Sequence, residues 1–252
     1  MRPPLPHQDF IMEIAGYLSS IIIGVSLGMI GGGGSILTVP VLVYLFSVDA
    51  VAATAYSLFI VGLTSAVGSV SYFKKGRVNV KTAVIFGIPS IIAVFLTRAY
   101  IVPSIPSELF KVGNMVATKS HMLMLLFAAI MVAASYSMIR KAKAPGPEPT
   151  GPQHFNYPLI LIEGAVVGMI TGLVGAGGGF LIIPALVVLS KLPMKEAVGT
   201  SLVIIAAKSL IGFLGEGSET IIDWPFLGTV SIFAIIGIFI GMSLSRKIDG
   251  EK

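Results

Sequence analysis

The stretch GMIGGGGSILTVP, from Gly28 to Pro40, occurs twice in this chain. It returns as GLVGAGGGFLIIP, from Gly172 to Pro184, so that the two prolines lie 144 residues apart. At this single offset, and without a gap, identical residues meet at Gly24, Gly28, Gly31, Gly33, Gly34, Leu37, Pro40, Ser57, Leu58, Ser65 and Gly68. Glycine-broken apolar segments at matching places in two halves of a chain indicate the binding site of a membrane transporter.

The composition is that of a membrane protein. The chain has 252 residues, 55% of them hydrophobic, a mean hydropathy of +0.94 and only 12% charged residues, whereas soluble domains average about 25% charged. We therefore expect one transmembrane domain over residues 1–252, with the lipid bilayer as its surroundings. The net charge of +5 needs no nucleic-acid partner, because basic cytoplasmic loops produce it. The absence of cysteine excludes disulfides and thiolate metal sites.

Nine apolar segments are candidate membrane spans, since a helix needs about 20 apolar residues to cross the hydrocarbon core. They are Phe10–Ile30, Ser35–Ser47, Val51–Tyr72, Val80–Ile101, Ser120–Ile139, Pro158–Val174, Phe180–Ser190, Ala197–Gly215 and Trp224–Ser245. The second and seventh segments are short, and each begins at a glycine cluster and contains a proline. These two either cross the membrane or dip in and return.

The distribution of charge favours crossing. If both short segments cross, the basic residues on one side are Lys74, Lys75, Arg77, Lys81, Arg140, Lys141, Lys143, Lys191, Lys195, Arg246 and Lys247. The acidic residues Asp49, Glu216, Glu219 and Asp223 then fall on the opposite side. If both are re-entrant, the loop with Glu216 joins two basic loops. The crossing model places the N-terminus outside and inverts the repeats relative to each other.

The predicted fold is thus an all-α polytopic bundle of about nine spans, built from two inverted repeats with glycine-broken helices. The first repeat covers residues 10–140 and the second residues 155–252, and a proline- and glycine-rich cytoplasmic linker, 141–154, joins them. The first copy is followed by the span Ser120–Ile139, which has no match in the second copy. We therefore expect the second repeat to be truncated, with a tenth span following Lys252 in the full-length chain.

The repeated glycines predict broken helices with an anion site between them. Non-helical backbone in a membrane must lie in protein or line a wet cavity, and glycine supplies the positive φ angles for the break. Helices starting at Ser35 and Gly179 would direct unpaired N–H groups and a positive dipole end inward, which favours an anion. The candidate backbone is Gly33, Gly34, Ser35, Gly177, Gly178 and Gly179. Four other glycines, Gly24, Gly28, Gly168 and Gly172, have the spacing of helix-packing contacts instead.

Lys208 is the candidate cationic side chain. It lies in the middle of an apolar segment, where a lysine costs about 2.5–3.5 kcal/mol on insertion scales and is a functional hypothesis by default. As alternatives, it snorkels to the surface, or it pairs with Glu163 rather than with the anion itself. Hydroxyls at Ser57 and its repeat match Ser201, together with Thr200, would complete the site, although serine and threonine also bond their own helix backbone.

The sequence shows no enzyme signature. The three histidines, His7, His121 and His154, lie near span ends or in loops, and no carboxylates share a metal-ligand spacing. We expect no catalytic residues, no metal and no cofactor. A membrane enzyme acting on lipid or peptide is the competing hypothesis from another class, and a structural scaffold subunit is a third.

The two glycine segments, together with LPMKEAVGTSL (Leu192–Leu202) and IDW (Ile222–Trp224), resemble the TauE/SafE sulfite exporter family. The resemblance covers essentially the whole chain and implies two homologous halves. It also implies transport of sulfite, sulfoacetate or a related small sulfur oxyanion across the inner membrane. Together with the motif analysis, this predicts a secondary transporter of a small anionic substrate that works by alternating access. A passive small-anion channel and a transporter of an unrelated small anion are the alternatives. The exact anion, the direction, the coupling ion and the oligomeric state, a homodimer included, stay open.

Overall fold

The computed structural model of the protein describes residues 7–112, 115–142, 157–175, 177–188, 192–216 and 222–247. The described chain is almost entirely helical. The helices are α1 (His7–Ile30), α2 (Ser35–Pro40), α3 (Ala50–Lys74), α4 (Val80–Leu96), α5 (Val102–Ser104), α6 (Lys119–Ala142), α7 (Tyr157–Val174), α8 (Gly179–Val188), α9 (Met194–Leu214) and α10 (Trp224–Lys247). Two π-helical segments, Val41–Leu45 and Thr97–Ile101, extend α2 and α4.

Five of these helical stretches are long and apolar enough to cross a membrane by length and composition. They are Met12–Ile30, Ala50–Lys74, Val80–Ser104, Met194–Leu214 and Trp224–Ser245. Shorter apolar helices cover Ser35–Leu45, Lys119–Ala133 and Pro158–Val174. The expectation of a polytopic helical membrane protein is therefore confirmed.

One segment has a structure that the sequence did not predict, and another lies mostly outside the described residues. Between α5 and α6, strands β1 (Glu108–Val112) and β2 (Met115–Thr118) pair as an antiparallel hairpin, in a stretch that the span prediction left unassigned. The expected cytoplasmic linker, 141–154, lies outside the described residues except for its first two, which end α6.

Helices α3 and α9 form the centre of the bundle. In their apolar windows 67% and 72% of the residues are buried, against 33% for α1 and for the α4 span. They cross antiparallel, because Gly62 packs against Leu210 whereas Gly68, further along α3, packs against the earlier Leu202. The helices that correspond in the two repeats thus contact each other directly at the core.

The outer helices pair across the repeats through glycine. A methyl group at Gly24 or Gly28 of α1 would collide with the α10 backbone near Ala234 and Ile238. Their repeat matches in α7, Gly168 and Gly172, pack in the same way against Ser90 and Thr97 on the α4 side. The helix-packing interpretation of these four glycines is confirmed. In each pair, the later glycine contacts a later residue of the partner helix. Helix α1 therefore runs parallel to α10, and α7 runs parallel to α4.

Two hydrogen bonds between helix starts show how the remaining helices are oriented relative to one another. The amide of Asp223, just before α10, donates to the Tyr56 hydroxyl near the start of α3 at 2.8 Å, and Gly68 further on contacts Ile238, so α3 and α10 are parallel. The amide of Asn79, which caps α4, donates to Thr200 Oγ1 near the start of α9 at 2.9 Å. Helices α1, α3 and α10 therefore point one way, and α4, α7 and α9 the other.

Candidate anion-binding site

Each half of the chain contains the expected helix break. Helix α1 ends at Ile30 and α7 at Val174, and both stop at a glycine with positive φ: 81° at Gly31 and 74° at its repeat match Gly175. The second break has two further positive φ angles, 63° at Gly177 and 64° at Gly178. The first break does not repeat them, since Gly34 has a φ of −69°. The two breaks therefore begin alike but continue differently.

The two breaks lie against each other. A Cβ at Gly32 would stand 2.5 Å from the carbonyl carbon of Gly179, and a Cβ at Gly177 would stand 3.4 Å from the Cβ of Ser35. Only glycine allows backbone to approach backbone this closely. The expectation that the glycine segments of the two repeats face each other is confirmed.

Each break also packs on the central helix of the other half. Gly31 contacts Val198 of α9, and its match Gly175 contacts Thr54 of α3, which is itself the match of Val198. A Cβ at Gly31 would stand 3.2 Å from the hydroxyl oxygen of Ser201. The structure thus brings Ser201 to the first break.

The start of α2 offers fewer free amides than expected. The amides of Ser35 and Leu37 donate to the carbonyl oxygens of Gly32 and Gly34 at 3.3 and 3.1 Å, and the Ser35 hydroxyl donates to Gly32 O at 2.7 Å. At the start of α8, the amides of Leu181 and Ile182 both donate to Gly178 O. The expectation of an unpaired N–H at Ser35 is therefore wrong, because the glycine turn supplies the acceptor itself.

Lys208 lies at the second break. It is fully buried, with 0% exposure, so the snorkelling alternative is wrong. Its Nζ donates to Thr171 Oγ1 at 3.0 Å, and Thr171 in turn donates to Val167 O at 2.6 Å. A Cβ at Gly178 would stand 2.6 Å from Nζ, so the bare glycine makes room for the ammonium. Glu163, the other suggested partner, lies eight residues before Thr171 on α7, about 12 Å along the helix.

The three predicted hydroxyls have different surroundings. Ser57 Oγ is buried and has no hydrogen-bond partner within the described part of the chain. Ser201 Oγ donates to Val198 O of its own helix at 2.8 Å. Thr200 Oγ1 accepts the amide of Asn79, which ties it to the start of α4. The Ser201 proton is therefore already used within its own helix, whereas the bond at Thr200 uses a lone pair and not the hydroxyl proton.

Two polar features of this region were not predicted from the sequence. One is Thr171, the partner of Lys208, which occupies the position of Leu27 in the first copy and so marks a difference between the repeats. The other is a buried ion pair of Arg98 with Glu216, joined by Nη1 and Oε2 at 3.0 Å. Arg98 was detectable by the rule that singled out Lys208, since it too is a cation inside an apolar span.

The described residues contain no group of side chains suited to a metal ion. Among them, no three or more His, Cys, Asp or Glu side chains are grouped for metal binding. A cavity of about 240 Å³ lies elsewhere, between α3, α4 and α9, and apolar residues such as Phe73, Val84 and Ile204 line it. Its lining suits hydrocarbon rather than an ion.

Comparison with known proteins gives a consistent result. Residues 17–252 match the family model described as Sulfite exporter TauE/SafE. A probable membrane transporter protein of Xylella fastidiosa is 29% identical, covering 97% of this chain and 88% of the relative. The probable membrane transporter protein YdhB of Bacillus subtilis is 26% identical, with 91% and 89% covered, and one of Methanocaldococcus jannaschii is 27% identical, with 91% and 86% covered. No solved structure matches significantly.

Proposed function

Since the chain belongs to the TauE/SafE sulfite exporter family, we propose that this membrane transporter moves a small sulfur-containing oxyanion by alternating access. The substrate is sulfite or an organosulfonate such as sulfoacetate. The family name and the presence of a buried cation at the glycine breaks both support this class of cargo. The protein acts in the inner membrane, with its N-terminus outside.

One observation carries the proposal: the ammonium of Lys208 lies wholly buried where the two broken helices meet. Burying a lysine inside a span is costly, and such residues are retained where they serve a pathway. Within the part of the chain that the structure describes, Nζ makes its hydrogen bond to the neutral Thr171, and glycine backbone at Gly178 lies beside it. The remaining hydrogen-bonding capacity of the ammonium is then available to an oxyanion.

The proposed site combines this ammonium with backbone and hydroxyls from both halves. Its members are Gly33, Gly34, Ser57, Gly177, Gly178, Gly179, Thr200 and Lys208, and Ser35 and Ser201 join them when their hydroxyls turn away from Gly32 O and Val198 O. The Asn79 amide engages a lone pair of the Thr200 hydroxyl and not its proton. Contacts of the first break with Ser201, and of the second break with Ser35, support a site at the interface of the repeats.

Helix directions support inverted repeats and a crossing topology. The helices that correspond in the two halves are α1 with α7, α3 with α9, and α4 with α10, and each pair points in opposite directions. If α2 and α8 were re-entrant, α3 and α9 would run the same way, whereas their glycine contacts are antiparallel. With about nine crossing spans, rocking of one half against the other would expose the breaks to each side in turn.

The test is thermal stabilisation of the detergent-purified protein by sulfite, sulfoacetate, taurine, sulfate, thiosulfate or chloride, because a ligand that binds only the folded state raises its stability. We expect a selective shift with one sulfur oxyanion. If none of these anions shifts the melting temperature, the sulfur assignment is wrong.

An uncoupled anion channel is the second candidate function, because Lys208 bonds a hydroxyl rather than a carboxylate able to carry a coupling proton. Counterflow of labelled anion in vesicles, which a channel does not support, separates the two.

A further inference from the structure

A second cation is buried near the C-terminal ends of α4 and α9. Arg98 lies in the π-helical segment that extends α4 and is 1% exposed. Its Nη1 donates to Oε2 of Glu216, which follows the end of α9, at 3.0 Å. The side chains of this pair are 0% and 8% exposed. An arginine is therefore held inside the protein by one of its three nitrogens.

The other two nitrogens of Arg98 are unsatisfied. Nε and Nη2 are buried and have no hydrogen-bond partner in the parts of the chain that the structure describes. These two atoms share one edge of the planar guanidinium, and that edge presents two parallel N–H groups to a pair of oxygens. Buried donors without partners are rare in native structures and call for an explanation. A bidentate oxyanion would satisfy both of them at once.

The position of Arg98 relates it to Lys208. Helices α4, α7 and α9 converge here, since Val94 packs against both Gly172 and Gly212. Thr97, the neighbour of Arg98, packs against Gly172, which follows the Thr171 that holds Lys208. Along α9, Glu216 lies eight residues after Lys208, or about 12 Å. The two cations thus lie one after the other along the direction of α9, with the Arg98 guanidinium nearer the C-terminal ends of α4 and α9.

We propose that the Nε–Nη2 edge of Arg98 is a second binding site for the transported oxyanion, through which the anion passes between the Lys208 site and the membrane surface. This inference rests on the proposed function. Glu216 orients the guanidinium through Nη1 and offsets part of its charge, so the second site binds more weakly than the first. Weak binding is what a pathway requires of a site that must release its ion. In the structure this edge is occluded, so the site is filled only when the halves rearrange.

A structural role for the ion pair makes a different prediction from a transport role. Replacing a buried ion pair by uncharged residues of similar size is often neutral or stabilising. The double variant Arg98→Gln/Glu216→Gln removes both charges and keeps two side chains that can hydrogen-bond to each other. If the pair has only a structural role, a folded double variant should transport as wild type does, even if its melting temperature changes. If the pair binds the anion, the folded double variant should lose transport.

The experiment measures sulfite flux into proteoliposomes and sulfite-dependent thermal stabilisation for the full chain. We expect the double variant to keep the melting temperature of wild type and most of the sulfite stabilisation, which reports on Lys208, but to lose flux at least tenfold. Arg77→Gln, the same change at an exposed loop arginine, is the control and should transport normally. Wild-type flux in the double variant would overturn the proposal.

A second variant covers the case in which the double variant does not fold. Arg98→Lys keeps a cation opposite Glu216 but lacks the planar fork. We expect its sulfite flux to fall at least tenfold, and unchanged flux would contradict the proposal. If wild-type protein neither binds nor transports any anion of the panel, the proposed function fails and this inference falls with it. If wild type transports and both Arg98 variants do too, only this inference fails.

Discussion

Replacing Lys208 with methionine should abolish most anion binding while leaving the fold intact or more stable. Methionine is similar in length to lysine and uncharged, so it fills the same buried space. Among the described residues, Nζ donates its hydrogen bond to Thr171, whose own proton is donated to Val167 O. Thr171 therefore keeps a partner after the substitution. Since a lysine at the centre of a span costs about 2.5–3.5 kcal/mol, removing it should not destabilise the protein.

The expected loss of affinity follows from the lost contact. A hydrogen bond to a charged group contributes about 1.5–3 kcal/mol, and each 1.4 kcal/mol corresponds to a tenfold change in Kd. Lys208→Met should therefore weaken anion binding by about 10- to 150-fold. At an anion concentration of 100 Kd, wild type gains about 2.7 kcal/mol of stability from the ligand. A variant with a 100-fold higher Kd gains only about 0.4 kcal/mol under the same conditions.

The assay is thermal unfolding of purified protein across a sulfite titration, with the ligand-free melting temperature measured in parallel. Lys195→Met is the matched control, because it makes the same chemical change on the same helix at an exposed position. This control should show the stabilisation of wild type by sulfite. Two numbers are read for each variant: the melting temperature without ligand and the shift with ligand.

The two readings together can refute the reasoning. A Lys208→Met protein that keeps the full sulfite shift would remove Lys208 from the binding site. A protein that melts several degrees lower without ligand, and keeps its shift, would show that the buried ammonium supports the fold. Only a lost shift at an unchanged or higher melting temperature agrees with a binding role.

The remaining predictions concern the breaks, the packing and the topology. Gly178→Ala places a methyl group at a φ of 64° and beside the buried ammonium, so it should lower both melting temperature and sulfite affinity; Gly228→Ala, with open space around it, should do neither. Gly28→Ala would bring a methyl to 2.5 Å from the α10 backbone and should destabilise by about 1–3 kcal/mol, measured by thermal or denaturant unfolding; unchanged stability would contradict the close packing. Because the chain has no cysteine, Lys75→Cys and Lys195→Cys can be labelled singly, and both should react from the same side of the membrane. Labelling from opposite sides would favour re-entrant short segments.

The sequence was sufficient to predict the membrane class, the helix breaks and the role of the packing glycines. These features follow from local chemistry: apolar composition, the conformational freedom of glycine and the four-residue spacing along one helix face. The repeat also predicted a contact between distant parts of the chain, because matched segments in two halves of a chain are expected to meet. Gly32 and Gly179 do so. Lys208 could be singled out from its apolar surroundings alone.

Side-chain partners could not be predicted in this way. The hydroxyl of Thr200, a predicted site residue, accepts an amide 121 residues away, at Asn79. Lys208 bonds Thr171 on α7 rather than Glu163, which lies about 12 Å earlier along that helix. Arg98 bonds Glu216, which is 118 residues away in the chain, and the repeat does not predict this pair.

What the sequence by itself determined is therefore where the helices break and which segments correspond, since backbone conformation and membrane partition depend on a few consecutive residues. Only the tertiary structure decided which donor meets which acceptor inside the bundle. Those partners depend on the rotation and relative height of helices that are distant in the chain, and packing between the two halves sets both.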